Sequence, residues 1–247
     1  MERIVDLLVG RLNLLRFRPP VHMVYNPLVY ARSSHLTYWR RYGQPPKEVL
    51  LVGMNPGPWG MVQTGVPFGD ICMVTQWLKL PLPVVPPAVQ HPKRPVLAAA
   101  CVRREVSGQR LWGWAAQRFG TPERFFSRFG VANYCPLTFM AESGRNITPD
   151  KLPAREKTLL FEACDEALAA TVRWLRPRIV VGVGGFAAQQ VGRVLSLSGI
   201  TLGQITHPSP ANPKANAGWS RLVEKELCEL GIVLPPLQGS NSLEKER

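Results

Sequence analysis

The sequence predicts an α/β protein with three layers, α/β/α, around a central, mostly parallel four-stranded sheet. Three observations carry this. Residues 49–52, Val-Leu-Leu-Val, form a short apolar run of the kind that makes a strand buried on both faces. Further strand-like runs at residues 131–134, 179–183 and 201–206 alternate with stretches of helical spacing, and such alternation implies parallel strands covered by helices. Three of the strands end in irregular loops, rich in glycine, proline or asparagine, and ligands of parallel sheets bind beyond the carboxyl ends of the strands.

In chain order, residues 1–17 carry a stripe of Ile4, Val5, Leu7, Leu8, Leu12, Leu14 and Leu15 at helical spacing. The segment 24–30 follows, and residues 35–42 read as a basic, aromatic helix. After the first strand comes a loop from Gly53 to Gly69, punctuated by Gly57, Gly60, Gly65, Pro56, Pro58 and Pro67, and Asp70 then caps a helix expected to end near Leu80. Residues 81–94 are proline-rich and read as an extended surface excursion. A helix is expected over 109–128, with Leu111, Trp112, Ala115 and Phe119 on one face, and then the second strand. Residues 139–150 read as irregular, and a helix from about Pro153 to Leu175 must stop at Pro177. The third strand leads into Gly184-Gly185 and a helix reaching Leu197, and the fourth into a loop from His207 to Asn216. A last helix is expected over 217–230. Residues 1–236 are read as one domain and 237–247 as a polar, disordered tail.

Composition narrows the class. The 247 residues are 45% hydrophobic, enough for a sizeable core, and the net charge of +13 points to a polyanionic partner, nucleic acid before membrane. No apolar run reaches the length of a membrane span, and no secretory signal is recognised, so a non-secreted protein is expected. Cys72, Cys101, Cys135, Cys164 and Cys228 are odd in number and never spaced C-x-x-C, which fits buried reduced thiols rather than a metal centre. No metal and no cofactor are expected.

The loops themselves carry a resemblance. M-N-P-G-P-W-G-M-V-Q-T-G-V-P-F-G at residues 54–69 and H-P-S-P-A-N-P-K-A-N-A-G-W at residues 207–219 resemble the two signature motifs of the single-strand-selective monofunctional uracil-DNA glycosylases, a branch of the uracil-DNA glycosylase superfamily. Supporting stretches are residues 24–30, 91–94, 105–108 (E-V-S-G), 133–137 (N-Y-C-P-L) and 147–149 (I-T-P), so the similarity runs over most of the chain. The resemblance implies the superfamily fold and the excision of uracil, and of 5-substituted uracils, from single- and double-stranded DNA, leaving an abasic site in base excision repair. It implies a monomer and a compartment that holds DNA: the bacterial cytoplasm or the eukaryotic nucleus. By residue, Asn55 would position the attacking water and His207 would stabilise the negative charge growing on uracil O2. Phe68 would stack on the flipped base and Asn133 would read its edge, in a pocket that includes Met54, Gly57 and Met61. Pro208, Ser209, Pro210, Ala211, Asn212, Lys214 and Asn216 would contact DNA and hold the gap left by flipping. Two residues depart from the pattern. Ala211 stands where a long basic side chain is common, and Trp59 replaces a phenylalanine.

The residues support that chemistry independently. Hydrolysing an N-glycosidic bond means stabilising a cationic sugar and an anionic leaving base. An amide has no useful basicity, so Asn55 can hold a water but not deprotonate it. The heavier contribution then falls to a donor aimed at the leaving oxygen, and His207 has the chemistry for it. Lys93, Arg94, Arg103, Arg104 and Lys214 are candidates for phosphate contacts. The absence of a lysine from the Asn55 and Asn133 loops argues against Schiff-base lyase chemistry. Other readings remain open from sequence: acceptance of hypoxanthine or xanthine, a DNA-binding module without catalysis, and a nucleotide enzyme using the glycine loop as an anion cradle. Each singled-out residue also has an ordinary role, His207 as a loop histidine bonded to backbone and Asn133 as a turn residue.

Overall fold

The computed structural model describes residues 1–197 and 199–237; the expected polar tail lies almost wholly outside them. The chain runs through helix α1 (Glu2–Leu12), strand β1 (Met23–Tyr25), helices α2 (Pro27–Tyr30) and α3 (Arg32–Tyr42), strand β2 (Val49–Gly53) and the short helix α4 (Met61–Thr64). Helices α5 (Val106–Phe119) and α6 (Pro122–Phe126) precede strands β3 (Phe129–Asn133), β4 (Thr138–Met140) and β5 (Asn146–Ile147). Helix α7 (Ala154–Leu175), strand β6 (Ile179–Val183), helix α8 (Gly185–Leu195), strand β7 (Thr201–Ile205), and helices α9 (Pro213–Asn216) and α10 (Trp219–Glu229) complete it.

The central sheet has the order β3-β2-β6-β7, and every neighbouring pair is parallel. β2 and β6 occupy the middle and are buried along their whole length, which is why both are continuously apolar. Helices flank the sheet. α8 lies on β6 and β2, α7 packs between α8 and α1, and α5 packs with α6 and α10. Much of the core beside β3 is aromatic: Trp114, Phe119, Phe125 and Phe129 meet edge-on or stacked, with centroids 5.0–6.2 Å apart. Each such ring, once buried, contributes about 1.5–3 kcal/mol before entropic costs.

The four expected strands and the long helix α7 are present. Three expectations need correction. The helix expected over 109–128 is two helices, because Gly120 turns the chain at φ +74 and Thr121 then caps α6, its Oγ1 accepting the Arg124 N–H at 3.3 Å. The segment 139–150 is not simply irregular: β4 and β5 pair there, and with β1 they form a second, antiparallel sheet of order β1-β4-β5. Asp70 does cap a helical turn, accepting Met73 N–H at 3.3 Å, but residues 73–77 wind as a π-helix. The five cysteines are free, and Cys101, Cys135 and Cys164 are buried as expected, while Cys228 is exposed and Cys72 half-buried. No helix among the described residues is long and apolar enough to cross a membrane.

Gly182, the penultimate residue of β6, faces α8 so closely that a Cβ would lie 2.2 Å from Ala188 N and 2.3 Å from its Cα. Backbone cannot yield as a side chain would, so Gly182→Ala is expected to destabilise the fold by about 3 kcal/mol in urea unfolding. Gly192, inside α8 with open space around it, gives the opposite sign: Gly192→Ala is expected to stabilise by about 0.5–1 kcal/mol.

Candidate functional site

At the carboxyl edge of the central sheet the loops after β2, β3 and β7 converge on a cleft of about 420 Å³. Its lining includes Met54, Asn55, Gly57, Trp59, Met61, Phe68, Asn133, His207, Ser209 and Pro210. Residues far apart in sequence are thereby brought together as the topology requires. Pro208 is buried beneath the loop. Ala211, Lys214 and Asn216 stand exposed on its outer side, and Asn212 serves the loop itself, its Oδ1 accepting Lys214 N–H at 3.2 Å to cap α9.

The floor is set by Asn55. Its Nδ2 donates to Leu137 O at 3.1 Å and Pro56 O at 3.4 Å, which fixes the amide, while its Oδ1 is buried with no protein partner. An unmatched buried acceptor costs on the order of 1–3 kcal/mol, a cost that a substrate or a water can relieve. The loop around it is tied at both ends: Cys135 N donates to Met54 O at 2.9 Å and Thr138 Oγ1 to Pro56 O at 3.0 Å.

Phe68 enters the cleft from a left-handed backbone conformation, φ +53, rare for an aromatic residue. Its carbonyl accepts Trp112 Nε1–H at 3.0 Å and Asp70 N–H at 2.9 Å. Asn133, the last residue of β3, has its Nδ2 3.4 Å from Met61 Sδ, a weak partner that a ligand can displace. Both side chains reach over Gly53, where a Cβ would lie 2.6 Å from Phe68 Cζ and 2.5 Å from Asn133 Oδ1.

His207 is half-buried, and loss of solvent pushes its pKa down to about 4. The Ser209 N–H donates to Nδ1 at 3.0 Å, so in the neutral ring the proton sits on Nε2 and that nitrogen is a donor. The loop is held in shape by Arg110, which donates to Pro208 O at 2.9 Å and Asn216 Oδ1 at 2.8 Å, and by Asn216 Nδ2 donating to Pro210 O at 3.0 Å. Trp219 Nε1 closes its root on Thr206 O at 2.7 Å.

Sequence reasoning missed several members of the cleft. Glu105, Ser107, Asn146 and Thr148 also line it. Glu105 is the only acidic residue in the lining, and burial raises its pKa against the opposing hydrogen bonds of Ser107. Asp70, fully buried, anchors this wall by accepting from Arg104 Nε at 3.0 Å and Glu105 N at 3.1 Å. Arg104, expected among the phosphate contacts, is therefore ion-paired. The E-V-S-G stretch was the one sequence signal for this wall. Among the described residues no cluster of three or more His, Cys, Asp or Glu could hold a metal ion.

The fold and the cleft define a class: parallel α/β proteins with an amide, an aromatic ring and a neutral imidazole gathered at the strand ends. The sequence model of the uracil DNA glycosylase superfamily matches residues 40–227, and the chain belongs to that superfamily. It is 48% identical over 224 residues to the single-strand selective monofunctional uracil DNA glycosylase of Bos taurus, covering 90% of this chain and 82% of that protein. The Mus musculus protein of the same name is 47% identical, covering 94% of this chain and 84% of that one. In the crystal structure of Pedobacter heparinus SMUG2 the same fold recurs with a TM-score of 0.66 at 17% identity, over 92% of this chain and 97% of that one.

The depressed His207 pKa has a measurable consequence. The unfolded imidazole takes up a proton near pH 6.5 and the folded one only near 4, so the unfolded state binds more protons between those values and stability falls as pH drops through them. His207→Asn is expected to shrink the stability lost between pH 6.5 and 4 by on the order of 2–3 kcal/mol, with the difference between wild type and variant constant above pH 7. Imidazole NMR of the wild type should show Nε2 protonated and Nδ1 bare at pH 6.

Proposed function

We propose that the cleft hydrolyses the N-glycosidic bond of uracil flipped out of DNA, single- or double-stranded, releasing the base and leaving an abasic site. The observation that carries this is the pairing, in one cleft, of an unpartnered Asn55 Oδ1 with a neutral His207 whose proton is on Nε2.

Each group has a task that its geometry suits. Phe68 offers a ring face on which a planar base stacks, and the Asn133 amide offers one donor and one acceptor to its edge. As the bond to the sugar breaks, charge grows on the departing base, and His207 Nε2–H donates to the oxygen that gathers it. A neutral imidazole serves well here, since a donor placed in advance in a site shielded from water needs no reorganisation when charge develops. Asn55 Oδ1 accepts a hydrogen bond from the water that attacks the cationic sugar. The amide takes no proton, and none is needed before attack if bond breaking runs ahead of it. Glu105, negative when ionised, faces the same cleft and opposes the charge of the anionic base rather than that of the sugar cation.

The remaining parts follow from the same reading. Residues 1–236 form one domain, and a single cleft processing a single base works as a monomer wherever the cell keeps its DNA. The His207 loop enters the space vacated by the base with Pro210 and Ala211, both exposed at its tip. Recognition of 5-substituted uracils depends on the space around Gly57, Trp59 and Met61, where the loop approaches the base.

Uracil-containing single-stranded DNA incubated with the protein and then with hot alkali is expected to break at the uracil. Asn55→Ala and His207→Ala are each expected to lower kcat by roughly 10²–10³ while DNA binding is kept. Intact DNA after incubation with excess wild-type protein would overturn the proposal. Cleavage that survives both substitutions would leave the enzyme and displace the site.

A further inference from the structure

Trp59 carries two cations. The Arg94 guanidinium carbon lies 5.3 Å from the indole centroid and that of Arg103 lies 5.5 Å from it. Neither guanidinium is paired with a carboxylate among the described residues, whereas the adjacent Arg104 is taken by Asp70. Arg94 Nε is buried with no hydrogen-bond partner, and Arg94 Nη1 has only the neighbouring Lys93 carbonyl, at 2.9 Å. Two like charges gathered on one ring with no carboxylate in ion-pair contact repel, and the cation–π attraction of each, about 0.5–1 kcal/mol at an exposed site, offsets only part of that. An anion seated between them reverses the sign.

The arrangement is built rather than incidental. Gln63, fully buried, donates through Nε2 to Pro58 O at 2.9 Å and Pro95 O at 3.0 Å, and its Oε1 accepts Leu97 N–H at 2.7 Å and Ala98 N–H at 3.1 Å. One amide therefore fixes the residue before Trp59 against the residue after Arg94. The Arg94 backbone is held on both sides, its N–H donating to His91 O at 3.0 Å and its carbonyl accepting Tyr25 O–H at 2.8 Å. Arg103 is delivered by the segment that Asp70 anchors through the next two residues. Trp59 is in the cleft lining, so the two cations are carried by a ring of the cleft wall.

We infer that Arg94, Trp59 and Arg103 form a subsite for one backbone phosphodiester of the DNA strand, next to the nucleotide whose base occupies the cleft. The inference rests on the function proposed above for the identity of the anion. Planar guanidiniums present paired N–H donors that match a phosphodiester, and a ring that orders them in advance lowers the entropy lost on binding. The grip takes hold of a single strand. It thus supplies affinity on a chain whose loop carries Ala211 at its tip, a side chain that gives an opened duplex weaker support than a long one.

The test uses a fluorescein-labelled, uracil-free oligodeoxythymidine, titrated by anisotropy over a series of salt concentrations, so that binding is read without catalysis. The variants are Arg94→Gln, Arg103→Gln, both together, Trp59→Ala and Trp59→Phe. Arg173→Gln, an exposed charge in the last turn of α7, controls for net charge. The double arginine variant is expected to weaken binding on the order of tenfold and to flatten the slope of log affinity against log salt by about 0.7, the share of one single-strand phosphate. Trp59→Ala is expected to reproduce most of that loss and Trp59→Phe little of it, while Arg173→Gln leaves the slope unchanged. On uracil-containing single strands the double variant should raise KM and keep kcat, a split that a misfolded cleft would not give. An unchanged slope in the double variant would overturn the subsite even if uracil is still released. A wild type that binds with the expected slope but releases no uracil would overturn the reading of the cleft and support the subsite.

Discussion

The site depends on a missing atom. β2 ends at Gly53, and there Phe68 and Asn133 both close over the glycine, at distances that no Cβ could share. Because Gly53 pairs in register with Asn133, the close approach also fixes which residue of β3 stands at the strand end. The aromatic ring and the amide are thereby set into one wall, and the rest of the cleft is arranged around that contact. Phe68 can hold its unfavourable φ because its carbonyl is secured twice, by Trp112 and by Asp70 N, so strain at the site is balanced by hydrogen bonds outside it.

Two buried polar residues do for the loop what a hydrophobic core does for a helix. Gln63 satisfies all of its principal hydrogen-bonding capacity on four backbone groups, and Asp70 does the same with Arg104, Glu105 N and Met73 N. A loop this rich in glycine and proline has little side-chain surface to bury, so shape has to come from directed bonds. His207 is treated differently. The fold removes water from its ring and offers a single N–H to Nδ1, and this selects both the charge state and the tautomer.

Most of the central architecture was legible because it is written in patterns of short range. Residues 49–52 declare a buried strand by composition, α7 declares itself by periodicity, and the two long motifs named the family outright. What was not legible depends on partners distant in sequence. β1, β4 and β5 are two or three residues each and exist only because Val24 meets Phe139 and Phe139 meets Ile147. Asn146 reaches the cleft on that small sheet, where no local pattern marks it, and Thr148 directly after it, inside the I-T-P stretch whose place in the cleft the sequence did not show. Arg110 looks like one more charge on an amphipathic helix until its contacts with Pro208 and Asn216 are seen. Gly120 was readable in principle as a helix stop, but the apolar periodicity on either side of it outweighed the signal.

The division of the cleft between the two ends of the chain sets a timetable for its birth. Asn55, Phe68 and Asn133 are synthesised before His207 and the helix that closes its loop. β7 pairs with β6 alone, so the strand that delivers His207 joins the sheet at its edge. A nascent chain therefore carries the residues of the floor and the stacking ring before it carries the imidazole, and the pocket gains its donor last of the four.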